Sequence, residues 1–116
     1  MKKIKFGCHN FLNSKPILIP LIEKNISNLK IIQKSPAALA SLLRRKKLDL
    51  SFVPSIEYAK NTDYLIVNNI SISSLGTVNT VLLTSKTKME DIKTVAADNR
   101  SLSSIVLLKI LFKEKF

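Results

Sequence analysis

Twice in its first half this chain leaves a short apolar run through polar residues and proline, then resumes with helical spacing. Asn10-Phe11-Leu12-Asn13-Ser14-Lys15-Pro16 follows the run Lys3–Cys8, and Pro54-Ser55-Ile56-Glu57-Tyr58-Ala59 follows Asp49–Val53. Repeated handover from strand to helix restricts a chain to an α/β sheet with parallel pairs, because a parallel neighbour needs a crossover long enough to hold a helix. Each handover also leaves free backbone N–H groups and the positive end of a helix dipole at one sheet edge. A small anion is favoured there.

The remaining elements follow from local chemistry. Lys3–Cys8 predicts a strand in which Gly7 allows close approach of a neighbour. Pro16 fits the first position of a short helix over Pro16–Lys24, whose regularity Pro20 limits. Leu29–Lys34 reads as the second strand. Ser35-Pro36 is a helix start, with Ser as cap, and Ala37, Leu39, Ala40, Leu42 and Leu43 supply its apolar face. Asp49–Val53 is a third strand, after which Ser55 caps a brief helix. Tyr64–Val67 and Ile70–Ile72 read as extended, Val78–Ser85 as a longer strand and Thr94–Ala97 as another. Ser101–Ser104 then opens a last helix through Lys113. It is apolar on more than one side and so expects neighbours.

Composition narrows the function class. A single cysteine, Cys8, excludes an internal disulfide and fits a reducing compartment. The lysine-rich start has no apolar stretch behind it, and the longest greasy run, Pro16–Ile22, falls well short of the ~20 residues a spanning helix needs. The expectation is a cytoplasmic protein without a membrane partner. The net charge of +11 raises nucleic-acid binding, but the basic residues are mostly scattered lysines. The one true cluster, Arg44-Arg45-Lys46-Lys47, ends a predicted helix, where cations complement the dipole. No nucleic-acid-binding motif accompanies it, so no nucleic-acid partner is expected. A positive field does steer dianionic metabolites inward.

Several short blocks occur in a specific order: Phe11-Leu12-Asn13-Ser14-x-Pro16, Pro36-x-x-Leu39-Ala40-x-Leu42-Leu43, Leu48-Asp49-Leu50, Pro54-Ser55-Ile56-Glu57-Tyr58-Ala59, Ile70-Ser71-Ile72-x-Ser74-x-Gly76-x-Val78 and Ser85-Lys86. In this order they resemble the menaquinone-biosynthesis family that includes chorismate dehydratase, from about Ile4 to Phe116. The resemblance implies a type II periplasmic-binding-protein-like fold of two lobes, with a mixed, mainly parallel sheet and the ligand between the lobes. By that analogy residues 1–87 supply an incomplete first lobe and 88–116 the start of a second lobe that is largely missing. It also implies, as partner, a separately encoded or missing C-terminal half.

The implied substrate, chorismate, carries two carboxylates and a hydroxyl that departs as the ring becomes aromatic. Such a step needs fixed donors for the carboxylates, a proton acceptor and help for the leaving hydroxide. The resemblance points to Asn13 as the residue that orients the reacting groups, with the substrate's own enolpyruvyl carboxylate taking the proton. Ser14, Ser55, Ser103 and Ser104 are the expected carboxylate donors, and Thr80 occupies a place where family members carry a hydroxyl facing the cleft. Local pattern alone gives Asn13 a helix-capping role and Thr80 that of a strand former. Glu57 is the leading protein carboxylate, either supporting the site from behind or favouring a helix start at the surface. Leu102 stands where the family has Arg, which leaves Arg100 as the substitute. Phe11 and Tyr58 either flank a flat ring or pack in the core.

No metal or redox cofactor is implied: Cys8 and His9 are adjacent, with no second Cys or His to complete a zinc site. His9 is able to act as acid or base near neutral pH, but the resembled family does not depend on a histidine there, so it reads as a loop histidine. Two rival functions stand beside the dehydratase. One is the sister enzyme of the same route, acting on a larger futalosine-derived substrate. The other is a binding lobe without catalysis.

Overall fold

The computed structural model describes residues 2–61 and 63–113. It contains β1 (Ile4–Cys8), a 3-10 turn (Leu12–Ser14), α1 (Lys15–Glu23), β2 (Leu29–Gln33), α2 (Pro36–Arg44), β3 (Leu50–Ser51), α3 (Ser55–Lys60), a second 3-10 turn (Met89–Asp91) and α4 (Leu102–Leu111). The three strands form one sheet in the order β2-β1-β3, and both pairings are parallel. The α/β class is therefore as expected, and no antiparallel pair occurs among the described residues.

Alternation along β1 explains the layering. Phe6 and Cys8 face one way and are buried with Leu18 of α1, with Leu21, Ile31 and Phe52 packed around them. Gly7 faces the other way, under Leu39 of α2 and Leu48. The helices α1 and α2 thus cover opposite faces of the sheet. Complete burial of Leu39 contributes about 2 kcal/mol.

The helix ends follow their sequences. Ser35 Oγ accepts from Ala38 N at 3.4 Å, and Pro36 occupies the first turn of α2. Past the end of α2, Lys46 adopts φ 55°, its N–H bonds Leu43 O and the N–H of Lys47 bonds Leu42 O, both at 2.9 Å. This is a Schellman closure with lysine where glycine is usual. Asn25 after α1 is also in the left-handed region, with φ 43°, and its N–H bonds Ile22 O at 3.1 Å. One capping expectation is corrected: Ser55 is the first residue of α3, and Pro54 is its cap.

The second half departs further from expectation. Tyr64–Val67, Ile70–Ile72, Val78–Ser85 and Thr94–Ala97 form no strands. The strand pattern is present, but a strand exists only as part of a ladder, and none of these segments pairs with the sheet. Apart from Phe112, every buried hydrophobic among the described residues precedes β3. Residues 65–83 carry a run of exposed apolar side chains, and the molecule extends over 58 × 27 × 23 Å. Among the described residues no helix is long and apolar enough to cross a membrane.

Candidate functional site

The strand order itself marks a place for a ligand. The chain leaves β1 for β2 on one side and then returns past it to β3 on the other. Connections therefore diverge at the carboxyl ends of β1 and β3, the topological switch point at which open α/β sheets bind ligands. A groove of about 1410 Å³ runs along the sheet and reaches this edge, where His9, Phe11, Phe52, Ser55, Ser101 and Ser103 line it.

His9 and Phe11 come from the loop after β1. Their rings lie 4.7 Å apart, and Phe52 stands 6.3 Å from the His9 ring. His9 is buried, its Nδ1 has no hydrogen-bond partner, and burial lowers its pKa from the ordinary histidine value. The imidazole is accordingly held toward its neutral form. The loop is held from within by Ser14, which is fully buried and donates its hydroxyl toward the carbonyl oxygens of His9 and Phe11. Cys8 is buried beside it, and burial raises its thiol pKa.

Opposite this loop, two helix starts meet. Ser55 Oγ, at the start of α3, lies 3.4 Å from Ser103 Oγ, in the first turn of α4. Ser103 Oγ also accepts from Ile56 N at 3.3 Å. Ser101 donates to Ser104 Oγ at 2.6 Å, which turns the Ser104 hydroxyl along its own helix start. Residues far apart in sequence are thereby joined into one polar rim. Hydroxyls in this position both donate and accept, and suit carboxylate or hydroxyl groups of a ligand.

The remaining expected residues lie elsewhere. Asn13 is the exposed middle residue of the 3-10 turn and caps no helix; the cap of α1 is Ser14, whose side chain makes no capping bond to the helix. Thr80 is exposed in a turn. Neither residue lines the groove. Asn13 is thus placed on the same loop as His9 but not beside Ser55.

Glu57 is 2% exposed and fully engaged. It pairs with Arg44, accepts from Asn61 Nδ2 at 3.1 Å and is approached by the Tyr64 hydroxyl at 3.4 Å. Burial, with the Glu57 charge next, raises the Tyr64 pKa. This network ties the end of α2 to α3 and so positions Ser55. Arg100 closes a two-pronged bond on Asp98, Nε to Oδ1 at 2.9 Å and Nη2 to Oδ2 at 2.8 Å. Its guanidinium holds the exposed Asp98 carboxyl down to about 2. Arg100 lines the groove with its charge already paired. Sequence reasoning set His9 aside as a loop histidine and passed over the Arg44–Glu57 pair. The position of His9 directly after β1 was the available signal, whereas nothing local links Arg44 to Glu57. Among the described residues no group of three or more His, Cys, Asp or Glu is placed to hold a metal ion.

Comparison with known proteins agrees with the order of the sequence blocks. A family model described as menaquinone biosynthesis matches residues 4–116, nearly the whole chain. The chain belongs to the menaquinone-biosynthesis family. Among its relatives is a chorismate dehydratase of Thermus thermophilus, 33% identical over 115 residues. The match covers 98% of this chain and 41% of that protein, so the chain spans well under half the length of its relative. No solved structure matches the chain.

Proposed function

We propose that this chain is the N-terminal portion of a menaquinone-pathway lyase that converts chorismate to 3-enolpyruvylbenzoate and water by the futalosine route, in the cytoplasm. The observation that carries this reading is the 33% identity to a chorismate dehydratase, sustained across 98% of the chain. The switch-point groove supports it, because its aromatic floor and hydroxyl rim suit a flat ring bearing carboxylates. In this reading residues 1–87 belong to the first lobe of a periplasmic-binding-protein-like fold and 88–116 begin the second.

The chemistry asks little of the protein beyond placement. A ring C–H gives up its proton, the electron pair enters the ring, and the C–O bond breaks; the hydroxide takes the abstracted proton back from the substrate carboxylate and leaves as water. Aromatisation drives the step. The substrate's enolpyruvyl carboxylate is the proton acceptor, and Asn13, on the loop outside the groove in this chain, orients the reacting groups once the second lobe is in place. Ser55 and Ser103, with Ser104 behind them, hold a carboxylate at the meeting of α3 and α4. Ser14 shapes the loop that carries Asn13, Glu57 anchors the helix that carries Ser55, and Thr80 faces the ligand once the second lobe is in place. Preorganised neutral donors of this kind contribute several kcal/mol when water is excluded.

The test is incubation with chorismate, with and without the remainder of the enzyme supplied as a second polypeptide, while the ultraviolet spectrum is followed for the aromatic product. Product formed only with both pieces supports the proposal, and Asn13→Ala is expected to lower the rate at least about hundredfold. Full activity in Asn13→Ala removes Asn13 from the mechanism. Tight chorismate binding without any product favours a non-catalytic lobe.

A further inference from the structure

A hydrocarbon ring would serve the fold at position 9 as well as the imidazole does. His9 is 9% exposed and packs between Phe11 and Phe52. Its backbone is held from behind, because its carbonyl accepts from both Ser14 Oγ and Cys8 Sγ, on two buried side chains. The ring is thus fixed in place, yet Nδ1 is sealed from solvent without a hydrogen-bond partner. Buried polar atoms are ordinarily paired, so a nitrogen left in this state calls for a reason other than packing. The sealed atom also selects the tautomer. A bare lone pair is tolerated without a partner more readily than an orphaned N–H, which places the proton of the neutral ring on Nε2. Nε2 likewise has no partner among the described residues, and His9 lines the groove. Burial lowers the imidazole pKa and so favours this neutral ring.

We propose that His9 is a ligand-contacting residue whose Nε2–H donates a hydrogen bond to a carboxylate oxygen of the molecule bound in the groove. The inference rests on the reading of this groove as the seat of a flat ring bearing two carboxylates. Ser55 and Ser103 take one carboxylate at their rim, and His9 supplies the donor for the other. A neutral donor orients a carboxylate without the full positive charge that would strip its basicity. That matters where a substrate carboxylate is to accept a proton. The family resemblance assigns no role to a histidine at this place, so the contact is a property of this chain.

The chain has one histidine, so labelling its histidine with nitrogen-15 puts a single imidazole in the NMR spectrum. The labelled 116-residue chain, mixed with the unlabelled remainder of the enzyme, is titrated with chorismate and with isophthalate, an unreactive flat ring carrying two carboxylates. The free protein is expected to show the Nε2–H tautomer, and isophthalate is expected to move the Nε2 resonance more than that of Nδ1. His9→Phe keeps a ring between Phe11 and Phe52 and is expected to weaken isophthalate binding at least about tenfold. His9→Gln, whose amide nitrogen reaches the place of Nε2, is expected to recover most of that loss, which a packing role would not predict. Slow amide exchange at Phe6–Cys8 reports that both variants fold. Four outcomes overturn the inference: an Nδ1–H tautomer in the free protein, no binding of isophthalate, binding that leaves Nε2 unmoved, or His9→Phe binding as tightly as the parent. Isophthalate bound through His9 with no product from chorismate counts against the proposed reaction and leaves the His9 contact standing. Product formed at the parent rate by His9→Phe removes the contact and leaves the reaction.

Discussion

A methyl group at Gly7 would meet Ser51 Oγ and stand 2.6 Å from Leu48 Cδ1 and 2.8 Å from Leu39 Cδ2. Ser51 also donates to the Gly7 carbonyl at 3.0 Å, so β1 and β3 lie too close for a side chain between them and α2. Gly7→Ala is expected to cost about 1–3 kcal/mol, the range for overpacking a core, measured as a lower urea midpoint with an unchanged slope. Asp98 gives a second residue-scale expectation. Its folded pKa lies near 2 against an ordinary 3.8, so the pairing with Arg100 is fully present above the ordinary value and is lost as pH falls through about 2. A carbon-detected NMR titration should place the Asp98 midpoint there, and Arg100→Ala should return it toward 3.8. Both groups are exposed, so little change in overall stability accompanies the loss.

Between elements, the decisive contact is Arg44–Glu57. It links the last turn of α2 to α3, with Asn61 and Tyr64 completing the carboxylate's bonds. The basic cluster read as a helix-end feature therefore has one member with a specific partner. Arg44→Ala leaves a buried carboxylate without its cation and is expected to cost about 3 kcal/mol, the lower end for breaking such a pair, because the Arg44 side chain is 46% exposed. Glu57→Gln should cost less, and adding it to Arg44→Ala should recover part of the loss in a double-mutant cycle. Elements that depend on neighbours only a few residues away were legible in advance. Ser35, Pro36 and the apolar spacing of Ala37–Leu43 contain the whole of α2. By contrast, Glu57 was read from its place at a helix start, and its burial beneath Arg44 depends on how two crossovers bring α2 and α3 together.

For the whole molecule, order and burial are concentrated in residues 4–51, while the stretch from 64 to 88 carries neither strand nor helix. In the isolated chain, amide hydrogen exchange should show slow exchange at Phe6, Gly7 and Cys8 in the central strand. Residues 65–83 should exchange near the unfolded rate. Equal protection of both regions would contradict this architecture. The amino-acid sequence by itself determined the alternation of strand and helix over residues 4–51, the parallel pairing there and the start of α2. Each depends on backbone geometry, capping and side-chain period within a few residues. Tertiary structure alone decided that Ser55 meets Ser103 while Asn13 stays outside the groove, and that Val78–Ser85 remains unpaired. Convergence of distant side chains and closure of a ladder are properties of the packed chain, since each requires a partner that no local stretch contains.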